Sequence, residues 1–430
     1  MARLGPFEDH PRLAIAASGG ADSTALALLA RDWAAGQGGS VHAFVVDHRL
    51  RSDSGAEAAL TIRRLSAASI PATCLPLTGL MRGPALAERA RIARYDALAA
   101  ACRDGGFLHL LLGHHAADQA ETLAMRALRD SGDFGLAGMA ALAETRDVRL
   151  LRPLLAVPPD RLRVFLRAHG MPWVEDPSNR DPAALRARLR QRMAQADSAP
   201  VVTAAIASGH ARARAEAAIA TDLAAATIQP EGVALLPLAP LRPSVLAALA
   251  QMIGGAPYPP AGATLTRLAA APEPATLAGV RLLVRNGRLM LLREEAAMAC
   301  PVEAVSSAWW DRRMRLIGTP PAGQGITIGA LGDEASRFRR LSALPSAALR
   351  TLPVLRRGRD LLAVPHLGHV VEAGLEHIRF IFDPPRAAAG AVFCPISDWD
   401  IPTERQAPPD RVFSTWSSLA GMHGSASHTM

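Results

Sequence analysis

Short apolar runs alternate with helical patterns through the first 195 or so residues. Arg12–Ala17 and Val41–Asp47 are two such runs, Ile70–Leu77 is a weaker one, and Leu108–Gly113 is another. Helical periodicity fills the intervals near Ser23–Trp33, Gly55–Ala68 and Pro84–Ala101. Strand-length runs separated by helix-length stretches predict an α/β domain whose parallel sheet is doubly wound, with helices on both faces. In such folds ligands sit beyond the C-terminal ends of the strands. Three of the four runs are followed at once by unusual polar residues.

Farther on the pattern changes. From Pro182 to about Ala225 the chain is rich in Ala and Arg with few breakers, which predicts one or two long helices leading out of the first domain. Leu241–Ile253 reads as an amphipathic helix, and Val280–Arg293 as a hairpin around Asn286-Gly287, a strong two-residue turn signal. A Pro/Gly-rich passage over 318–332 precedes a second expected hairpin, Leu352–Val364, around Arg357-Gly358. The expected organisation is a catalytic domain at 1–195, a helical linker with a first C-terminal domain at 196–298, a second at 299–400, and a loose Pro- and Ser-rich tail at 401–430. The C-terminal domains are expected to be small and of mixed α+β type.

Four stretches carry candidate chemistry. In Ser18-Gly19-Gly20-Ala21-Asp22-Ser23 the glycines allow a sharp turn that gathers N–H groups at the positive end of a helix, a place for phosphate. Asp22 repels phosphate by itself, and it becomes useful as a helix cap or as a ligand for a bridging Mg²⁺. The second stretch is Asp47-His48-Arg49-Leu50-Arg51, directly after a strand. In the third, Gly113–Arg129, a helix beginning near His115 would place His114, Asp118, Glu121 and Met125 along one face. Carboxylates and a histidine so placed are expensive to bury for packing alone. The fourth, Glu175–Asp181, leads into an arginine-rich helix capped by Asp181-Pro182, on which Arg186 and Arg190 share a face.

Charge and composition narrow the chemistry. The net charge is +8, and all 47 basic residues are arginine, so a Walker A loop and a Schiff-base lysine are both excluded. Arginine grips phosphate bidentately, which suits a polyanionic partner. Four widely spaced cysteines form no CxxC, against a disulfide framework, a structural zinc site or an iron–sulfur cluster. No stretch reads as a signal peptide or membrane span, so a cytoplasmic soluble protein without membrane contact is expected.

These stretches together resemble the PP-loop ATP pyrophosphatases, whose loop is SGGxDS, and within them most of all the tRNA(Ile)-lysidine synthetase family. Asp47-His48 with Leu50-Arg51 is similar to that family's DHxLR, and Gly113-His114-His115 with Asp118, Glu121 and Thr122 to its GHHxxDxxET. Ser131-Gly132 with Gly135–Met139 is similar to SGxxGLAGM, and Glu175–Asn179 with Asp181 to EDPSNxD. The motifs lie within residues 12–190; the C-terminal half is similar only loosely, mainly at the hairpin near Asn286. Arg49 and Asp130 stand where glycine is usual, and Ala187 where asparagine is common.

The resemblance implies an adenine nucleotide α-hydrolase-like fold and a two-step ligation. ATP would adenylate the first anticodon cytidine of the isoleucine tRNA with a CAU anticodon, and free L-lysine would displace AMP to give lysidine. It implies ATP binding by Ser18, Gly19, Gly20, Ala21, Asp22 and Ser23, and catalytic roles for Asp22, Asp47, His114, Asp118 and Glu121. Mg²⁺ would sit on Asp22 and Asp118, and Arg126, Arg129, Arg186 and Arg190 are candidates for tRNA contact. The C-terminal domains would bind tRNA, and a homodimer is an open assembly. A thiolase of the same superfamily would need a cysteine pair to handle sulfur. An inactive tRNA-binding paralogue would have lost the carboxylates that this chain keeps.

Overall fold

The computed structural model describes residues 1–51, 53–81, 83–127, 133–175, 199–321, 323–390 and 393–395. The chain divides into two compact units: residues 1–215 together with the returning segment 393–395, and residues 216–390.

The first unit is built on a six-stranded sheet in the order β3-β2-β1-β4-β6-β5. Its strands are β1 (Arg12–Ala16), β2 (Ser40–Asp47), β3 (Ala72–Pro76), β4 (His109–Leu112), β5 (Leu142–Glu144) and β6 (Arg149–Leu151). All neighbours pair in parallel except β5, which runs antiparallel to β6 at one edge. Helices α1 (Ala21–Gly36), α2 (Ser54–Ala67), α3 (Leu86–Gly105), α4 (Ala116–Ala127), α5 (Asp133–Leu136) and α6 (Pro159–Ala168) complete it, and α7 (Ala199–Leu223) leads out.

Side chains along a strand point alternately to opposite faces, and β1 shows where they go. Leu13 and Ile15 join a core with Leu26 of α1, Leu65 of α2 and Leu162 and Leu166 of α6. Ala14 joins a second core on the other face with Phe44, Leu110 and Leu112, covered by Leu98 and Cys102 of α3. The strand is therefore apolar throughout, as a sheet covered on both faces requires. The order places β1 between β2 and β4, so the chain's direction of winding reverses there and leaves a crevice beyond its C-terminal end.

The second unit contains two layers of different make. One is the antiparallel sheet β7 (Thr227–Gln229), β8 (Val233–Pro237), β11 (Arg288–Arg293), β10 (Val280–Arg285) and β9 (Ala275–Leu277) in that spatial order, with α8 (Pro243–Gly254) and α9 (Ala263–Ala270) packed on it. The expected hairpin is there in full: Arg285 pairs with Arg288, and Asn286 and Gly287 take φ of 51° and 68°. The other layer holds β12 (Val302–Glu303), β15 (Ile326–Ala330), β16 (Pro353–Arg357), β17 (Asp360–Val364) and β18 (His369–Val370) in one sheet. A three-stranded sheet of β13 (Trp309–Trp310), β14 (Met314–Ile317) and β19 (Arg379–Phe382), with the short α10 (Ser346–Leu349), finishes it.

Residues on either side of 298, expected as separate C-terminal domains, have separate hydrophobic cores within the unit 216–390, and a buried ion network links them. The Asp311 carboxylate accepts from Arg293 Nε at 2.9 Å, Arg313 Nε at 2.7 Å and the Ala299 N–H at 3.0 Å. Burial alone would push the Asp311 carboxyl up, but the two guanidiniums hold it below the usual carboxylate range. Separating the layers would strand these charges, and breaking a buried pair is far costlier than never having made it. The segment 393–395 returns to the first unit: the Ala141 N–H donates to the Cys394 carbonyl at 2.8 Å, and Arg212 lies 4.5 Å from the centre of the Phe393 ring. The expected helical region 182–198 and the tail 401–430 lie outside the described residues. No helix among the described residues is long and apolar enough to cross a membrane.

Candidate active site

Ser18–Ser23 forms the turn between β1 and α1, at the reversal point of the sheet. Gly19 takes φ +80°, and a Cβ there would stand 2.3 Å from Thr61 Oγ1 on α2, so only glycine fits. Gly20 is the N-cap of α1, and Thr24 N–H closes the first helical turn on its carbonyl at 3.0 Å. Ser23 Oγ braces the turn from within: it accepts from the Ser18 N–H at 3.1 Å, lies 3.1 Å from Ser18 Oγ and donates to the Gly20 carbonyl at 3.2 Å. The Val174 N–H donates to the Gly19 carbonyl at 2.8 Å, tying the chain just before Glu175 to the loop. Gly113, after β4, lets that strand approach: a Cβ there would meet the Ser23 backbone at 3.1 Å.

The third motif starts α4 with a reciprocal cap. His115 is the N-cap: its carbonyl accepts from Gln119 N–H at 3.2 Å, its own N–H donates to Asp118 Oδ2 at 3.0 Å, and Asp118 N–H points back to His115 Nδ1 at 3.4 Å. With Nδ1 accepting, the ring proton of neutral His115 belongs on Nε2. That atom faces Asp22 Oδ2 at 3.4 Å and Asp118 Oδ2 at 3.6 Å. One imidazole thereby joins the carboxylates of the first and third motifs. The other oxygen of Asp22, Oδ1, is buried and makes no hydrogen bond. Glu121, two residues into the next turn and 3% exposed, lies on the same helix.

His114, expected on the same face as Asp118, precedes the helix and turns elsewhere. It sits among Arg152, Arg91 and Arg94, and burial followed by those charges pushes its imidazole down to about 3. It is therefore neutral at any physiological pH. Arg152, just after β6, donates Nη1 to the Ala140 carbonyl at 2.8 Å, while its Nε is buried without a partner. Burial holds its guanidinium pKa below the usual arginine value, opposed by the charge and hydrogen bond of the Tyr95 hydroxyl and reinforced by Arg91. His115 and this arginine group were not singled out from sequence. The H-x-x-D capping pattern could have flagged the former, but the latter comes from two distant elements with no motif in common.

Asp47 ends β2 and is 8% exposed. Its Oδ1 accepts the Arg49 N–H at 3.0 Å. Burial would raise its carboxyl, but Ser54 and the Arg49 amide and charge hold it below the usual range. Arg49 takes φ +52°, which accounts for glycine being usual at this place in the family it resembles. Arg49→Gly should therefore leave stability within about 1 kcal/mol of the parent, whereas the β-branched Arg49→Val should cost about 1–3 kcal/mol in thermal unfolding. Arg126 donates Nη1 to the Gly135 and Gly138 carbonyls at 2.9 and 2.7 Å. Buried Gln119 grips the Met139 N–H at 2.8 Å and carbonyl at 3.3 Å. Arg129, Arg186 and Arg190, with Asp130 and Ala187, lie outside the described residues.

A parallel sheet carrying a glycine-braced loop at its reversal point, with acidic side chains converging beside it, defines a PP-loop protein; residues 2–197 match the family model described as a PP-loop domain. The tRNA(Ile)-lysidine synthase of Ruegeria pomeroyi is 36% identical over 377 residues, covering 83% of this chain and 89% of that one. That of Mesorhizobium japonicum is 33% identical over 396 residues, with 84% and 86% covered, and that of a Bradyrhizobium sp. 41% over 218, with 50% and 61% covered. The chain belongs to the tRNA(Ile)-lysidine synthase family.

Proposed function

We propose that the protein ligates free L-lysine to C2 of the first anticodon cytidine of the isoleucine tRNA with a CAU anticodon, consuming ATP and releasing AMP and pyrophosphate. The observation that carries this reading is the convergence of Asp22, His115 and Asp118 beside the Ser18–Ser23 loop in a chain of this family.

The loop's N–H groups and the N-terminus of α1 would take the β- and γ-phosphates, where charge develops as pyrophosphate leaves. Cytosine O2 attacks the α-phosphorus, forming the O–P bond as the bond to pyrophosphate breaks. The lysine ε-amine then attacks C2, loses a proton and expels AMP. Asp118 and Glu121 would orient that amine and receive its proton.

The residues present fit Mg²⁺: Asp22 Oδ1 is a buried carboxylate oxygen without a partner, and Asp118 stands across the same imidazole. Mg²⁺ is commonly held by one or two carboxylates plus substrate phosphates, so no third protein ligand is needed. When bound it would neutralise phosphate charge. His115 Nε2–H would hold the two carboxylates beside each other, and neutral His114 can hydrogen-bond an α-phosphate oxygen.

The test is stoichiometric. Protein given ATP, lysine and the cognate tRNA should release AMP and pyrophosphate in step with lysine incorporation into the anticodon, and release neither without RNA. AMP release in the absence of RNA at the full rate, or incorporation of sulfur in place of lysine, would overturn the reading.

A further inference from the structure

Helix α7 carries a glycine, Gly209, well inside its span, where glycine costs stability relative to alanine. The returning segment accounts for it. A Cβ at Gly209 would stand 2.9 Å from Pro395 Cβ and 3.0 Å from Phe393 Cε1, and the third nearest atom also belongs to Pro395. The bare backbone of α7 is therefore what admits residues 393–395. Phe393 is buried there, with the Arg212 guanidinium, about one turn along the helix, 4.5 Å from its ring centre. Cys394, like Met139 and Leu142, packs against the core that contains Ala141, Ile206 of α7 and Leu26 of α1.

The stretch that this segment holds is the one that braces α4. Arg126 of α4 bonds the Gly135 and Gly138 carbonyls, and Gln119 bonds both backbone groups of Met139. Asp118 and Glu121 stand on the same helix. At its C-terminal end the stretch 135–141 is tied by the Ala141 N–H, which donates to the Cys394 carbonyl at 2.8 Å. The charge of Arg212, whose guanidinium lies over Phe393, also reaches Arg126, where it adds to burial in lowering that guanidinium's pKa. A close-packed interior passes on a displacement instead of absorbing it. A shift of residues 393–395 would thus be felt at α4.

We propose that Phe393, Cys394 and Pro395 are positioning residues for the reaction: seated on α7 at Gly209, they fix residues 135–141 and, through Gln119 and Arg126, the setting of Asp118 and Glu121. They act through other side chains and not on the reacting atoms. The inference rests on the ligation reading, in which those carboxylates work, and it adds the claim that residues following the C-terminal unit set the rate of the chemical step.

Two full-length variants test it. Phe393→Ala removes the ring that seats the segment, and Gly209→Ala fills the seat while improving helix propensity. In both, hydrogen exchange at the Ala141 amide should quicken at least about tenfold, and kcat for lysine ligation should fall about ten- to a hundredfold, the scale of a 1 Å misplacement. KM for ATP and for tRNA should stay within about twofold, because the loss falls on the chemical step. Phe393→Leu, which keeps apolar volume against Gly209, should restore most of kcat. A purely structural segment would lower stability and leave kcat of the folded enzyme at its parent value, and that result overturns the proposal. So does a loss carried by KM for tRNA, which would make the segment part of the RNA surface, or Ala141 exchange unaltered in both variants. Should Phe393→Ala fail to fold, Gly209→Ala is read by the same measurements. If the wild-type enzyme releases no AMP with lysine and tRNA, the ligation reading itself fails, which is separable from an active wild type whose kcat is indifferent to both variants.

Discussion

Asp22→Asn should yield a protein at least as stable as its parent and without ligase activity. The carboxylate sits at the second position of α1, with one oxygen 3.4 Å from His115 Nε2 and the other buried and unpartnered. Leaving a buried acceptor unsatisfied costs about 1–3 kcal/mol, more when it is charged. The amide removes the charge, keeps an oxygen toward His115 and retains the volume. What it loses is an anionic ligand for Mg²⁺, and AMP release should fall by about a thousandfold or more, the scale of losing a principal electrostatic group. Asp118→Asn should match it in activity, while its oxygen still accepts the His115 N–H and preserves the α4 cap. Wild-type turnover in either variant, with tRNA binding intact, would show that these carboxylates are not where the chemistry occurs.

Gly19→Ala is the second large effect, and it acts through geometry instead of charge. Two obstacles coincide: φ +80°, which disfavours any Cβ, and a contact of 2.3 Å with Thr61 Oγ1. Thr61 cannot turn away freely, because its hydroxyl donates to the Glu57 carbonyl at 2.9 Å. The backbone strain is worth about 1–2 kcal/mol, and displacing α2 adds about 1–3 kcal/mol of overpacking. ATP affinity should drop at least about a hundredfold, since a 1 Å shift of positioning groups has that effect. Thr61→Ala in the same chain should recover the packing part and not the strain. Thermal unfolding and nucleotide titration of the single and double variants separate the two, and equal behaviour of both would refute the contact.

Much of the fold near the loop was legible in the sequence. Strands β1, β2 and β4 are continuous apolar runs because both their faces are covered, and the Asn286-Gly287 turn declares its hairpin. Strands β5 and β6 were not foreseen: at three residues each, over Leu142–Glu144 and Arg149–Leu151, they are too short for any period to register. Asp22 and Asp118, named from separate motifs, do lie about one imidazole, but the spacing puts His114 on the Asp118 face where the ring of His115 stands. A stripe of i, i+4 positions assumes that the helix already includes His114, whereas the Asp118 cap starts it after His115. Arg91 and Tyr95 look like ordinary helix-surface residues until α3 is laid across the sheet. The Arg293–Asp311–Arg313 network that crosses position 298 is likewise visible only in three dimensions.

The return of residues 393–395 to the first unit has a consequence for how the protein is made. The Ala141 N–H finds its partner, Cys394, 253 positions later in the chain. On a ribosome adding about 5–20 residues per second, roughly 13–50 s separate synthesis of the two. The first unit thus cannot close this backbone hydrogen bond when its own consecutive sequence has emerged. The whole of 216–390 must be translated first, so a chain stalled before Cys394 would leave the Ala141 amide without this partner.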